Sequence, residues 1–287
     1  MTKFRIGRNR LSNESRTMRK ILFTVFAVIL LCGIGRGGDF EPLFEGHGDI
    51  ESYIYFKQDD VFFIDTELNG SVETFRYRRS YLMVDLFKET HMGRKYNSNM
   101  VFDPRRAHWS FGLTARIEKK KNFFEAQLHH DCFHTIDRWD DNSIYWNSPR
   151  LGFGTLDYLN KYRFHESSPG GEGLIWKNKL DYYFTVNLYA PRGISFQKNH
   201  DYEITFNTNF RYLALRFGRF GMALDSDNLW VVTKDNDFKR QHRLDLIGAI
   251  YGDKGAMEIY FRHWPYDNQS IRSHRDHKWA FGVHFGF

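Results

Sequence analysis

From about residue 46 to the last residue, apolar and polar side chains alternate with period two in segment after segment, and no stretch keeps a 3.6-residue period beyond a few turns. In the clearest run Trp109, Phe111, Leu113, Ala115 and Ile117 share one face while His108, Ser110, Gly112, Thr114, Arg116 and Glu118 share the other. Phe124, Ala126 and Leu128 stand against Glu125, Gln127 and His129 in the same way, and Leu180, Tyr182, Phe184, Val186 and Leu188 against Asp181, Thr185 and Asn187. Successive side chains of an extended strand point to opposite faces, so each run is a strand with one dry and one wet face. The chain is therefore expected to be all-β and antiparallel. Turn chemistry punctuates it at Asp59-Asp60, Asn69-Gly70, Lys119 to Asn122, Pro191-Arg192-Gly193 and Gly252 to Gly255. Longer polar segments fall at about 92–107, 137–148, 165–173, 225–237 and 266–277. Short turns at one end and long loops at the other predict an up-and-down meander.

Two architectures satisfy this alternation. A soluble barrel or sandwich turns its apolar face inward, and a membrane barrel turns it toward lipid and lines its interior with polar groups. The last strand discriminates between them. Trp279, Phe281, Val283, Phe285 and Phe287 alternate with Lys278, Ala280, Gly282, His284 and Gly286, and the sequence stops on an aromatic. This ending resembles the C-terminal signal that bacterial outer-membrane β-barrels present to their assembly machinery. The resemblance implies an antiparallel transmembrane β-barrel in the outer membrane of a Gram-negative envelope, with outer-membrane lipids, lipopolysaccharide and that machinery as partners. Dividing the 250 or so residues after the leader among strands and connections gives 10 to 14 strands, with 12 as the central value. A barrel of that size is narrow. Asp85, Arg116, Glu125, Gln127, Asp181, Asp245, Glu258 and Arg262 are expected inside it as paired charges, forming a plug or lining a selective conduit.

The first 35 residues carry seven basic side chains against one acid, which accounts for the whole formal charge of +6 and leaves the remainder balanced. A basic start, the apolar run Ile21 to Leu31 and the small-residue exit at Cys32-Gly33-Ile34-Gly35 predict a secretory signal peptide over residues 1–35, cleaved between about 35 and 38. Met1 and Met18 both suit as starts. Residues 39–287 are then a single barrel domain. Losing the leader removes the basic character and with it any case for a nucleic-acid partner. It also leaves Cys132 as a lone thiol in an oxidising compartment.

The densest chemistry runs from His129 to Arg150. His130 and Cys132 are two apart on a strand and share the lipid face of Phe124, Ala126 and Leu128, so a base stands near a nucleophile. This stretch resembles the outer-membrane phospholipase A family, twelve-stranded barrels with a His-x-Ser pair on the lipid-facing wall, an Asn on the next strand and calcium assisting. On that resemblance His130 and Cys132 take the places of the pair, and Ser143 to Asn147 resembles the segment that supplies the Asn. The implied activity is lipid acyl hydrolysis by His130, Cys132 and Asn147, with no cofactor required beyond possible calcium. Cysteine replaces serine, Phe133-His134 replaces the usual Asn-Gly, and the spacing to Asn147 is longer. The string His130-x-Cys132-x-His134-x-x-Asp137 also resembles a His-x-Ser-x-His-x-x-Asp signature of outer-membrane proteins, which implies location alone.

Other readings of these residues stay open. His129, His130 and His134 suit an interfacial girdle beside Trp139, Tyr145 and Trp146, and His129 with Asp131, or His130 with His134, suits a transition ion. Asp140, Asp141 and Asn142 offer oxygen ligands, as do Asp225 to Asn228 and Asp235 to Asp237, without the spacing of a calcium loop. His263 to Asp267 and Arg272 to His277 flank the last long segment, where cations meet lipopolysaccharide phosphates. The sequence thus supports an integral outer-membrane barrel with a structural or narrow-conduit role, an embedded lipid hydrolase, or a soluble periplasmic binding barrel.

Overall fold

In a computed structural model the chain forms twelve antiparallel strands, each hydrogen-bonded to its sequence neighbours, with the first and last strands closing the barrel. The structure describes residues 40–94, 102–136, 143–162, 174–189, 201–269, 271 and 274–287. The expected leader and the weak metal candidates Asp140, Asp141 and Asn142 lie outside them. The strands are β1 (Phe40–Tyr55), β2 (Ile64–Tyr77), β3 (Ser80–Arg94), β4 (Phe102–Lys119), β5 (Asn122–Thr135) and β6 (Ile144–Thr155). They continue with β7 (Leu174–Leu188), β8 (Tyr202–Phe217), β9 (Phe220–Thr233), β10 (Phe238–Tyr251), β11 (Ala256–Asp267) and β12 (Trp279–Gly286). A short helix, α1 (Leu156–Leu159), follows β6.

Connections at 78–79, 120–121, 218–219 and 252–255 gather at one end of the meander, the turn end, and those at 56–63, 95–101, 136–143, 189–201, 234–237 and 268–278 at the loop end. Three expectations need correction. Asn69 and Gly70 are not a turn: they pair with Asp49 and Gly48 inside the β1–β2 ladder, where the Asn69 amide donates to Asp49 at 2.8 Å. Residues 225–233 are strand rather than loop, because Asp225 and Asp227 face inward onto Arg211 and Arg243 at 3.1 and 3.2 Å. The long β6–β7 connection belongs to the turn end, where Thr155 caps α1 by accepting from the Tyr158 N–H at 3.3 Å.

The alternation read from the sequence becomes an apolar outer wall. Phe111, Phe124, Leu151, Leu180, Leu246, Phe261 and Phe285 are among its exposed side chains, with Leu151 60% accessible. The opposite parity points into the barrel and is charged. Arg262, 1% accessible, is held between two carboxylates, donating to Glu51 at 2.8 and 3.0 Å and to Asp245 at 2.8 and 2.9 Å. The rings of Tyr53 and Tyr260 lie within 4.6 Å of its guanidinium carbon. Arg211 joins Asp225 and Glu258, and Arg116 donates to Glu125 at 2.7 Å. Pairing of this kind is what makes ionised groups tolerable in a dry interior.

One half of the lumen is solid: Tyr53, Tyr55, Ile247, Tyr251, Tyr260 and Trp264 pack together across β1 and β10–β12. Beside this cluster lies a cavity of about 770 Å³ lined by Glu73, Asp85, Arg116, Glu125, His129 and Arg150 among others, and bounded on the packed side by Asp49, Arg243 and Trp264. Two inserts narrow it. From the turn end Tyr162 reaches to 4.6 Å from the His284 ring. From the loop end Arg275 donates to Asp65 and Glu89, both at 2.8 Å, and to the Tyr55 hydroxyl at 2.9 Å.

Gly282 makes room for the solid half, since a Cβ there would sit 2.5 Å from the Tyr260 ring and hydroxyl. Gly282→Val is expected to push Tyr260 off Glu51, which its hydroxyl contacts at 3.1 Å. The cost should be about 1–3 kcal/mol, read as a lower urea midpoint of the refolded barrel. An unchanged midpoint would refute the packing argument.

Candidate functional site

On β5 the inward set is Phe123, Glu125, Gln127, His129, Asp131 and Phe133, and the outward set is Phe124, Ala126, Leu128, His130, Cys132 and His134. His129 therefore leaves the expected girdle. It sits inside, its Nδ1 2.7 Å from the Ser110 hydroxyl and its Nε2 3.3 Å from Arg150, with Asp131 at 3.5 Å. His108, at 3.0 Å, joins the same Asp131 carboxylate, so the His129–Asp131 pair is part of the lumen network.

The outward residues do meet. His130 lies opposite Asn147 in the β5–β6 ladder, and its Nδ1 is 2.8 Å from the Asn147 Oδ1. Because that amide oxygen only accepts, His130 carries its proton on Nδ1. Cys132 meets a different histidine. Its Sγ lies 2.7 Å from the Nε2 of His134, whose Nδ1 is 3.1 Å from the Ser143 hydroxyl. The structure thus holds thiol, imidazole and hydroxyl in one chain, beside a separate imidazole–amide pair. The same contacts engage His130 and His134 separately. His134 was missed as the thiol's partner because it stands two residues from Cys132, as His130 does, and spacing cannot choose between them.

The ladder also sets the depth of the site. Trp109 and Tyr145 flank Cys132 on the adjacent strands, Lys88 pairs with Trp109 and lies over its ring at 4.6 Å, and one step toward the turn end Phe111 flanks His130. Cysteine and base stand where apolar wall gives way to an aromatic and polar rim. Among the described residues, Asp65, Glu89 and His91 also cluster closely enough to hold a metal ion, but the Arg275 guanidinium bridges all three.

A closed antiparallel barrel with an apolar exterior, a charged and ion-paired interior and a thiol–imidazole pair on its outer wall belongs to the class of transmembrane β-barrels. No known protein family and no curated protein matches the chain by sequence. Among solved structures it is similar to outer membrane phospholipase A from Escherichia coli, at 10% identity and a TM-score of 0.49 over 86% of this chain and 98% of that one. It is also similar to the calcium-bound outer membrane phospholipase dimer of Salmonella typhi, at 9% identity and a TM-score of 0.46 over 90% and 96% of the two chains. The β domain of the Bordetella autotransporter BrkA follows at 8% identity and a TM-score of 0.35 over 84% and 98%.

Proposed function

We propose that the chain is an integral outer-membrane barrel whose outer wall carries a lipid acyl hydrolase site, with Cys132 as nucleophile and His134 as general base. The observation that carries this reading is the 2.7 Å approach of the Cys132 Sγ to the His134 Nε2, backed by Ser143 at 3.1 Å from Nδ1. Nucleophile, base and orienting group in that order are the arrangement acyl transfer requires. In the first half-reaction His134 takes the thiol proton, the thiolate adds to an ester carbonyl, and the leaving alkoxide recovers the proton from His134. A thioester to Cys132 remains. In the second, His134 deprotonates a water that attacks the thioester, returning the thiol and releasing a fatty acid. The depth of the site supports a lipid ester as substrate, since those bonds lie between acyl chains and headgroups, level with an aromatic girdle.

The test is a search for the intermediate. Refolded protein is incubated with phospholipid or lipid A vesicles, with and without calcium, and quenched in acid. The expected result is an acyl adduct on Cys132, labile to hydroxylamine, together with fatty-acid release. Folded protein that gives neither product refutes the hydrolase.

The cavity of about 770 Å³ favours a second reading, a narrow conduit obstructed at the loop end by Arg275. Arg275→Ala is expected to raise single-channel conductance severalfold in planar bilayers. Equal conductance of the variant and the unmodified protein would argue for a plugged, structural lumen.

A further inference from the structure

A second polar island interrupts the outer wall on β8–β10, away from the thiol. The Nδ1 of His242 is 2.7 Å from the Asn228 Oδ1, and the Asn228 amide nitrogen lies 3.1 Å from the Ser226 hydroxyl and 3.3 Å from that of Thr208. Asn228 accounts for the buttressing: it fixes the His242 tautomer with the proton on Nδ1 and leaves Nε2 as the ring's outer edge. His242 shares its face with Leu244 and Leu246, both exposed to the lipid side, and Trp230 packs edge-on against it at 4.8 Å. One step toward the loop end on the same face is Arg240, exposed, its guanidinium 4.3 Å from the Tyr266 ring centre. Arg240 is near enough for its charge to act on His242. No carboxylate partner of Arg240 is found among the described residues, although ion pairing is the rule for the arginines inside the barrel.

A guanidinium with no anion among the described residues stands beside an imidazole, over aromatic rings, at the upper edge of an apolar wall. Positive groups on a lipid face cost least at the interface and become favourable when a phosphate completes them. Barrels of this class place long loops outside the cell and short turns toward the periplasm, so this edge lies in the outer leaflet. We infer that Arg240 and His242 form a headgroup site for a phosphorylated saccharolipid of the lipid A type, with Arg240 forked onto a phosphate and the bare Nε2 of His242 accepting from a hydroxyl of the sugar. Trp230 and Tyr266 then line the flank of the bound sugar. This site rests on the membrane-spanning reading but is independent of catalysis at Cys132.

The experiment is lipid retention by the full chain, folded in detergent and measured by native mass spectrometry. The probes are lipid A, phosphatidylglycerol and phosphatidylcholine, each added alone. Wild type is expected to retain lipid A over phosphatidylcholine, and the Arg240→Gln, His242→Gln double variant to lose about tenfold of that preference. Arg219→Gln, at the turn end, removes a cation already paired with Asp253 at 2.7 Å and should retain lipid A as wild type does. Retention of lipid A unchanged in the double variant would overturn the site. Equal retention of phosphatidylglycerol would overturn the saccharolipid assignment, and loss in Arg219→Gln as well would reduce the effect to net charge. Heat-modifiable migration and detergent-dependent solubility are scored on the same samples. Their absence would sink the membrane reading itself, whatever the lipid data give.

Discussion

His134→Ala is expected to slow fatty-acid release by about 10²- to 10⁴-fold, the usual contribution of a general base. Cys132→Ala should reduce release to the background of vesicles without protein. His130→Ala should do less than either. The ordering follows from geometry: the thiol meets the Nε2 of His134 at 2.7 Å, whereas the imidazole of His130 is turned to Asn147. A thiol with a free-state pKa near 8.5 is mostly protonated at neutral pH, so a partner that takes the proton governs its reactivity. Ser143→Ala should cost less than His134→Ala, since Ser143 orients the ring and touches no reacting atom. Each variant is scored only after heat-modifiable migration shows a folded barrel. If His130→Ala abolished release and His134→Ala did not, the base would be His130 and the contact seen here would be incidental.

The largest structural effect is expected at Arg262. Arg262→Met leaves the carboxylates of Glu51 and Asp245 facing each other with their shared counter-ion gone and only the Arg243 guanidinium, 3.5 Å from Asp245, beside them, in a lumen packed by Tyr53, Tyr260 and Trp264. Breaking a buried ion pair from one side costs about 3–5 kcal/mol, because the stranded charges cannot be rehydrated. The variant should unfold at a clearly lower urea concentration and lose its gel shift at a lower temperature. Glu51→Gln and Asp245→Asn added together should restore most of the loss, because neutral amides need no counter-ion. If the triple variant were no better than Arg262→Met, lost packing of the long arginine side chain would be the cause instead.

Much of this barrel was legible in the order of its residues. Parity alone placed Trp109, Phe111, Phe124 and Leu180 on the outer wall and Arg116, Glu125, Asp245 and Arg262 inside, because a strand buried on neither face must alternate between two solvents. Strand number followed from length. Asn69-Gly70 misled because the same pair that closes a tight turn also fits a continuous ladder when glycine faces glycine across it, as Gly48 and Gly70 do. The polar run at 225–228 misled because inward Asp225 and Asp227 alternate with a polar outer-wall pair, Ser226 and Asn228, so that four polar residues in a row look like loop. The candidate site was half legible. Cys132 and Asn147 lay on the expected wall, but choosing His134 over His130 needed rotamers, and Ser143 comes from the segment just before the next strand. The Asn228–His242 island was visible in principle, as two polar residues sharing parity with Leu224, Leu244 and Leu246, but Asn228 reads in the sequence as one of a run of oxygen ligands and only the β9–β10 ladder sets it opposite His242.

Since Cys132 stands on the convex wall, a substrate that reaches it arrives sideways through the leaflet rather than from water. Its supply is then measured in mole fraction. If the proposed hydrolase holds, diluting the reactive lipid with an inert one at constant total lipid should slow fatty-acid release, while adding more vesicles of the same composition should leave the rate per barrel unchanged. Crowding of the leaflet, packing of its acyl chains and its phase would act as rate controls. A cell could then switch such a site on or off by the state of its bilayer, with no change in the protein.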